Sequence, residues 1–485
     1  MTGLALAGIV LIGAALRFTG LGDQSLWADE VFTVDVLGGA ASLWDVPGQV
    51  HGSEAAPPPY YLLLWVWARV FDDSDAGLRS LSALLGTATI PVVYLGVREL
   101  ASRRAALIAA ALCACSPILV WYSQEARVYA LYVLLAAASF WLFARALREA
   151  SRLNLACWAI VSALAIASYY LSAAAVLVEG AILLWRLPRR RGPVLIAIGA
   201  QLLTIAALLD YALDTRGRQG WIDTLAPLPE RLGQSLELFA VGNSDPAAVA
   251  LIAMVLVLAG AAAALAVRGE ARERRGALIA LAAGAFGLVV VCAGALIDAD
   301  YVLGRNVLFA WIPLTAAAAI ALGSSAAGRA GVAAASLLFA LGVWLVLEMK
   351  RSDELQRVDY RAAAELIGPP PQGAYRLVVV PGLFLSKSLP RYLDGIAPPS
   401  YFRRPPPIEL VQLGYAGSDR GPHGLCWWGG ACGLFREPVF DPPPGYRLVE
   451  RRRSDLWTLT RFRALQPHDP GPQGGGDAVT VLQGG

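Results

Sequence analysis

The sequence is poor in charge, and this excludes a soluble globular protein. Charged residues make up 16% and hydrophobic residues 57% of the 485 residues, whereas soluble domains carry roughly 25% charged residues. The mean hydropathy is +0.54. Apolar runs of about 20 residues, the length that crosses a hydrocarbon core, recur as far as Glu348 and then stop. The composition therefore predicts an α-helical polytopic membrane protein.

Lysine and histidine are also scarce. Lysine occurs only at Lys350 and Lys387, so the small net charge of +3 is carried by arginine and gives no support to nucleic acid binding. The three histidines, His51, His423 and His468, are too scattered to form a local metal-binding cluster. No G-x-G-x-x-G fingerprint follows a predicted strand, so the sequence also lacks the usual dinucleotide-binding site.

Twelve apolar segments are candidate spans. They centre on residues 2–17, 58–71, 80–97, 105–121, 128–144, 154–170, 172–186, 193–212, 246–267, 277–297, 307–322 and 330–348. Arginine clusters follow the third, fifth, seventh and ninth of these segments, and the positive-inside rule places them in the cytoplasm. Alternation then puts the other connections, and everything after Lys350, outside a cell inner (plasma) membrane.

The segment 58–71 does not fit this alternation. It is short, opens with Pro57 to Pro59 and carries Arg69, so we expect a re-entrant or interfacial helix and eleven true spans. The alternative is a real crossing together with one missed span, which gives thirteen. Either odd number leaves the C-terminal domain outside the membrane.

The chain divides by composition near Lys350. Residues 1–349 form the predicted membrane domain, with an outer loop at 18–57. Residues 350–465 mix short β-like runs with proline and predict a small extracytoplasmic α/β domain. Residues 466–485, rich in Gly, Pro and Gln, are expected to be disordered. Cys426 and Cys432 are expected to form a disulfide, whereas a zinc site would need two more ligands.

Adjacent carboxylates, Asp29 and Glu30, lie in the outer loop within Leu-Trp-Ala-Asp-Glu. One carboxylate can act as a general base toward an incoming hydroxyl or amine, and its neighbour can position the acceptor or hold a cation. The alternative is that both are solvated loop acids.

A second outer constellation follows Tyr122 in the run Tyr-Ser-Gln-Glu-Ala-Arg-Val-Tyr. At helical spacing Glu125 and Tyr129 share a face and Arg127 points elsewhere. Arg127, with Arg79 and Arg305, would place three permanently charged cations on one membrane face, an arrangement that suits phosphate. The alternative is that each is an arginine at the lipid interface.

These groups favour one reaction class. A sugar that leaves with a phosphate needs no general acid, because phosphate is already a good leaving group, so one base and several cations suffice. A single displacement would invert the anomeric centre, by analogy with inverting glycosidases.

Four motifs then give a family resemblance. Leu-Trp-Ala-Asp-Glu is followed by Pro-Pro-Pro-Tyr-Tyr-Leu from Pro57, by Leu-Arg-Ser-Leu-Ser-Ala-Leu-Leu-Gly from Leu78, and by the run after Tyr122. In this order they resemble the GT-C superfamily, in the bacterial branch related to protein O-mannosyltransferases and the lipid A aminoarabinose transferase. The likeness covers residues 16–350, and the run from Gln356 through Asp359-Tyr360-Arg361 extends it.

The resemblance implies a polyprenyl phosphate sugar donor, a catalytic acid at Asp29 and donor phosphate contacts from the arginines. Substrate contacts are expected from Glu125, Tyr129, Tyr60, Tyr61 and His51. Two departures stand out. Ala56 replaces a common His or Lys, a phosphate contact that His51 or Arg79 would then supply, and Arg305-Asn306 replaces a common Arg-Tyr. Some relatives use a divalent metal, so a metal is left open here.

The prediction is therefore a membrane glycosyltransferase with a lipid, glycan or protein acceptor. Competing hypotheses are a transporter or flippase for a lipid-linked saccharide and an inactive envelope-assembly scaffold. The transporter hypothesis would favour paired repeats and broken helices at mid-membrane, and the sequence has no convincing repeat.

Overall fold

A computed structural model describes most of the chain. The described residues are 2–215, 217, 222, 225–243, 248–352, 355–369, 375–381, 388–394, 409–415, 444–454, 457–466 and 478–484. The predicted disulfide between Cys426 and Cys432 lies outside them. The chain forms two compact units, one of residues Met1–Leu21 with Thr33–Arg351 and one of Gly22–Phe32 with Ser352–Gly485.

Helices make up almost all of the first unit, and the second unit contains α17 and the start of α2. In chain order the helices are α1 Thr2–Phe18, α2 Ala28–Gly39, α3 Val46–Ser53, α4 Pro59–Val70, α5 Asp75–Leu100, α6 Arg103–Cys115, α7 Pro117–Ser123, α8 Tyr129–Arg148, α9 Arg152–Ser168, α10 Ser172–Arg186, α11 Arg191–Thr215, α12 Leu228–Val241, α13 Ala248–Arg268, α14 Ala271–Gly294, α15 Trp311–Leu322, α16 Gly328–Arg351 and α17 Tyr360–Ile367.

Length and composition allow several of these helices to cross a membrane. Among the described residues, α5, α8, α11, α13, α14 and α16 qualify singly, and the bent pair α6 and α7 adds a seventh candidate if it forms one span. Helices α1, α9 and α15 are apolar but shorter. The predicted polytopic helical architecture is confirmed, and the count of eleven or thirteen spans stays a prediction.

The bend of 56° between α6 and α7 falls at Ser116 and Pro117. Proline at the first position of α7 has no N–H to continue the α6 ladder, so the carbonyls that end α6 need other donors. Arg17 supplies them from the end of α1, donating to the carbonyl oxygens of Ala114 at 2.9 Å and Cys113 at 3.0 Å. Its Nε donates to Ser123 Oγ at 3.2 Å, so one buried guanidinium joins three helices.

The segment predicted as interfacial or re-entrant is α4. Its 12 residues would span about 18 Å at 1.5 Å each, well below the roughly 30 Å of a hydrocarbon core. The helix begins at Pro59 and ends at Val70. Shortly after it, the hydroxyl of Ser74 accepts a hydrogen bond from Gly77 N and caps the start of α5.

The second unit contains α17 and a five-stranded mixed sheet, so the predicted small C-terminal sheet domain is present. Its strands are β1 Tyr375–Pro381, β2 Glu409–Tyr415, β3 Tyr446–Arg453, β4 Trp457–Ala464 and β5 Ala478–Gly484. The sheet order is β3-β4-β2-β1-β5, with β1 and β2 parallel and the other neighbours antiparallel. The inner face packs Val411, Leu413, Trp457 and Leu459 against Tyr360 of α17, among other residues.

The predicted disorder of residues 466–485 is wrong for its last part. Strand β5 occupies Ala478–Gly484 and pairs with all seven residues of β1. The run Val479, Thr480 and Val481 is β-branched and suits a strand, a local preference that the Gly, Pro and Gln content of the whole tail concealed.

Residues 22–32 belong to the second unit although they precede most of the first in sequence. Ser25 Oγ donates to Val358 O at 3.1 Å and accepts from Tyr360 N at 2.7 Å, and Leu26 N donates to Tyr392 Oη at 2.6 Å. Trp27 packs against the sheet core. The start of the predicted outer loop is thus an integral part of the C-terminal unit.

Candidate functional site

Asp29 and Glu30 occupy the first turn of α2. Glu30 is fully buried, and its Oε2 accepts from Trp27 N at 3.3 Å, which caps the start of the helix. Asp29 is 7% exposed and lies in the same turn, where the positive end of the helix dipole favours a carboxylate anion. Glu30 therefore has a structural task that the sequence reasoning did not foresee.

Arg127 lies in the connection between α7 and α8, where it is 8% exposed. Its Nη2 donates to Glu54 Oε2 at 2.9 Å and its Nη1 donates to the other Glu54 oxygen, so the pair is bidentate. Nη1 also donates to Thr33 Oγ1 at 3.3 Å. Glu54 is only 4% exposed, and a buried ion pair of this geometry fixes both side chains.

Two hydroxyl groups continue this cluster. Tyr60 Oη and Ser82 Oγ lie 2.8 Å apart, and Ser82 Oγ approaches the Arg127 carbonyl oxygen at 3.5 Å. The ring of Tyr61 meets that of Tyr60 edge to face at 5.7 Å between centroids. Residues Thr33, Glu54, Tyr60, Ser82 and Arg127 are hereafter the Arg127 cluster.

Arg79 lies near the start of α5 and is 2% exposed. Its Nη1 donates to Leu21 O at 2.9 Å. One turn of α5 separates Arg79 from Ser82, so Arg79 lies beside the Arg127 cluster along the helix.

Arg305 is carried by the loop before α15. Its guanidinium carbon lies 5.9 Å from the centroid of Tyr129, and the rings of Tyr122 and Tyr129 lie 4.7 Å apart. The structure thus brings together Arg305 and Tyr129, two residues that the sequence predicted separately.

The Arg305 loop is anchored on both sides. Asn306 accepts from Tyr169 Oη at 2.5 Å through Oδ1 and donates to Tyr301 O at 3.1 Å through Nδ2. Tyr132 Oη donates to Asn306 O at 3.0 Å. On the other side, Arg231 of α12 donates to Val302 O at 2.8 Å and pairs with Asp300.

The Arg231 hydrogen bond also lowers the pKa of Asp300 below its ordinary value of 3.8. The loop therefore keeps this ion pair at neutral pH. The pair loses its contribution to stability only as the pH falls below that value toward the lowered pKa.

His51 and Glu125, which the sequence predicted as substrate contacts, do not belong to the Arg127 cluster as defined above. His51 Nε2 lies 2.8 Å from Asp214 Oδ2, and its ring meets Tyr211 edge to face at 4.8 Å. Glu125 is fully buried in the turn between α7 and α8. The predicted helical face shared by Glu125 and Tyr129 is wrong, because α7 ends at Ser123 and Arg127 N bonds back to Glu125 O at 2.8 Å.

Sequence reasoning missed Glu54, Thr33 and Ser82. The only sequence feature that pointed to Glu54 was its position shortly before Pro57 in the predicted outer loop. No local spacing in the sequence connects Glu54 to Arg127. Over the described ranges, no three His, Cys, Asp or Glu side chains come close enough to hold a metal ion.

Residues 55–219 match the family described as dolichyl-phosphate-mannose-protein mannosyltransferase. This stretch contains Tyr60, Arg79, Ser82, Arg127 and Tyr129. Over these residues the chain is similar to the protein O-mannosyltransferases. The resemblance drawn from the motifs is confirmed for this stretch. No curated protein matches the chain in sequence.

Several solved structures are similar to the chain at low sequence identity. The S. cerevisiae protein O-mannosyltransferase complex bound to the sugar donor is 19% identical, with 44% of this chain and 33% of that chain covered and a TM-score of 0.35. The Archaeoglobus fulgidus oligosaccharyltransferase is 13% identical over 76% and 57%, with a TM-score of 0.44. ArnT from Cupriavidus metallidurans bound to undecaprenyl phosphate is 12% identical over 95% and 98%, with a TM-score of 0.41. The chain thus spans a third of the first of these proteins and over half of the second.

Proposed function

We propose that this multi-pass membrane protein transfers a sugar from a polyprenyl phosphate donor to an extracytoplasmic acceptor, with inversion. The family match carries the proposal, because the family is named for a donor of this chemical class, dolichyl phosphate mannose. The matched residues include two of the three arginines assigned to phosphate and the tyrosines around them.

Arg79 and Arg305 are the proposed contacts of the donor phosphate. Both guanidinium groups remain protonated at any physiological pH, and they can stabilise the charge that develops on the departing phosphate. Arg127 is the third proposed contact. Because Glu54 takes one N–H of each terminal nitrogen, a phosphate that binds there either uses the remaining N–H groups or competes with the Glu54 carboxylate.

Asp29 is the proposed general base. Its position at the start of α2 favours the anionic form that accepts a proton, and its low exposure suits a site from which bulk water is excluded. The acceptor hydroxyl or amine loses its proton to Asp29 as it attacks the anomeric carbon, and the bond to the phosphate oxygen breaks on the opposite face. Glu30, Tyr60, Tyr61, Glu125, Tyr129 and His51 are proposed to shape the substrate site.

The test is transfer by the purified protein from a panel of polyprenyl phosphate sugars to envelope extract, measured as release of polyprenyl phosphate. Asp29→Asn should lower the rate by about 10²- to 10⁴-fold, the usual contribution of a general base. Asp23→Asn removes an exposed carboxylate from the same loop and should leave the rate unchanged.

Full activity of Asp29→Asn would refute Asp29 as the base. Retained anomeric configuration in the product would refute inversion. Movement of the lipid-linked sugar across the bilayer without release of polyprenyl phosphate would favour the transporter hypothesis. A deletion phenotype that Asp29→Asn fully restores would favour the scaffold.

A further inference from the structure

Glu54 places a full negative charge on Arg127, one of the three arginines proposed to contact the donor phosphate. The two side chains form a bidentate ion pair, and the residues are only 4% and 8% exposed. Charges in such surroundings act on each other more strongly than they would in water. The proposed phosphate site therefore already contains an anion, and any bound phosphate has to share Arg127 with it.

Holding a buried arginine in place does not require a carboxylate in this protein. Arg17 is fully buried, and its guanidinium is held by neutral acceptors, which are the carbonyl oxygens of Gly13, Cys113 and Ala114 and the hydroxyl of Ser123. Thr33 Oγ1 gives Arg127 a neutral acceptor of the same kind. The charge of Glu54 is therefore more than the orientation of Arg127 requires, and it acts on whatever anion binds beside it.

The hydroxyl of Tyr61 lies close to this ion pair. Tyr61 is fully buried, and its hydroxyl has no hydrogen-bond partner within the described ranges. Burial raises the pKa of this hydroxyl above its ordinary value of 10, while the charge of Arg127 lowers the pKa and that of Glu54 raises it. Both charges are thus within electrostatic reach of the hydroxyl. Tyr61 can therefore donate to the Glu54 carboxylate when a phosphate competes for Arg127.

The charge on the phosphate changes during the proposed reaction. The donor is a phosphodiester and carries one negative charge. When the bond between the sugar and the phosphate oxygen breaks, its electron pair stays on that oxygen, and the proton of the acceptor goes to Asp29. The product is a phosphate monoester, whose second pKa of about 6 gives it roughly 1.5 to 2 negative charges at neutral pH. Arginines alone would therefore bind the product more tightly than the donor.

We propose that Glu54 discriminates between the donor and the product by repelling the additional charge that the phosphate gains. This inference rests on the proposed function. A phosphate with one charge shares Arg127 with Glu54, whereas a phosphate with nearly two charges is disfavoured, because like charges at such low exposure repel each other strongly. After transfer, Glu54 takes Arg127 back and the polyprenyl phosphate leaves.

The test compares two constants of the purified full chain in detergent. One is KM for a polyprenyl phosphate sugar that the protein accepts, and the other is the inhibition constant Ki of polyprenyl phosphate. Glu54→Gln keeps the size of the side chain and removes its charge. The variant should lower the ratio of Ki to KM about tenfold, because the product gains more from the loss of repulsion than the donor does.

Thr33→Val is the matched control, because it removes a neutral partner of the same Arg127 nitrogen without changing any charge. If Glu54 only positions Arg127, the two variants should change KM and Ki by similar factors and leave their ratio alone. An unchanged ratio in Glu54→Gln would overturn the proposal, and so would an equal fall of the ratio in Thr33→Val.

The unsubstituted protein gives a second readout that does not depend on the folding of a variant. Between pH 5 and pH 8 the phosphate monoester goes from about one to about two negative charges. Arginines acting without Glu54 would bind it more tightly as the pH rises, so a Ki that falls over this range would overturn the proposal. We expect Ki to stay constant or to rise. Absence of transfer from every polyprenyl phosphate sugar would overturn the proposed function itself, whereas transfer with an unchanged ratio would overturn only the role of Glu54.

Discussion

At the scale of single residues, the buried pair of Glu54 and Arg127 decides how the Arg127 cluster holds together. Glu54→Gln leaves a buried guanidinium without its counter-charge, because both Glu54 oxygens engage Arg127. Breaking such a pair costs about 3 to 5 kcal/mol. We expect a clear fall in the thermal unfolding midpoint of the purified variant in detergent.

The double variant Glu54→Gln with Arg127→Gln separates charge from shape. Removing both charges should recover much of the lost stability, because no uncompensated charge stays buried. If the single and double variants unfold at the same temperature, the pair contributes through packing and not through its charges.

Asn306 is expected to position Arg305 and not to contact the substrate itself. Asn306→Ala removes the bonds to Tyr169 and Tyr301 that hold the loop. If the proposed donor site is correct, kcat/KM should fall about tenfold, equivalent to about 1.4 kcal/mol, with KM for the donor changing most.

Tyr169→Phe removes only the hydroxyl that bonds Asn306. This variant should reproduce part of the loss in kcat/KM, because it weakens the hold on the loop without substituting Arg305 itself. Unchanged donor kinetics in Asn306→Ala would contradict the positioning role.

Part of the site was predictable from residue chemistry. Arginines in the predicted outer connections were selected because permanent cations suit phosphate, which gave Arg127 and Arg305, and Tyr129 was selected with the same run of residues as Arg127. Glu54 was not predictable, because the partner of Arg127 is 73 positions away in the chain and is brought there only by tertiary packing.

At the scale of elements, the approach of α1, α5 and α7 depends on Gly86. A Cβ atom at this position would lie 2.0 Å from Ser123 Oγ and 3.1 Å from Arg17 Nε. Gly86→Ala should therefore destabilise the protein by about 1 to 3 kcal/mol, the usual cost of overpacking. The measurement is the thermal unfolding midpoint in detergent.

Gly199→Ala is the control within α11, where an added Cβ meets nothing within 4 Å. Alanine in a helix interior is favoured over glycine by roughly 0.5 to 1 kcal/mol, so this variant should be neutral or slightly more stable. Equal effects of the two substitutions would show that helix preference, and not the close approach, accounts for the result at Gly86.

The long apolar helices, whose sequence strongly favours a helix, were predicted well. The short elements whose structure depends on contacts of a few residues were not. Hydrophobic length indicated most long helices, since a span of this length has few alternatives. The turn at residues 124–128 interrupts an otherwise helical pattern, and β5 lies within a tail of turn-forming residues. In both places, contacts with distant residues override the composition of the segment.

At the scale of the whole molecule, the orientation in the membrane remains a prediction that labelling can test. In a background with all six cysteines replaced, Asp23→Cys should react with an impermeant maleimide in intact cells. Ala271→Cys should react only after permeabilisation, because it lies among the arginines expected in the cytoplasm. Both positions are exposed, so a difference in labelling reports the side of the membrane.

Labelling of Ala271→Cys in intact cells would reverse the topology derived from arginine.

The membrane class followed from composition, and the C-terminal sheet followed from the short β-like runs after the change in charge and hydropathy near Lys350. The inclusion of residues 22–32 in the C-terminal unit could not follow from composition, since it depends on contacts such as that between Ser25 and Tyr360.

Because residues 22–32 form part of the C-terminal unit, that unit cannot be produced from the C-terminal sequence alone. A soluble fragment that starts at Ser352 would lack the peptide whose Ser25 and Trp27 complete its fold. Such a fragment would need this peptide supplied in trans or fused to its terminus. During synthesis, residues 22–32 leave the ribosome more than 300 residues before the strands they join, so they must wait unpaired until translation is nearly finished.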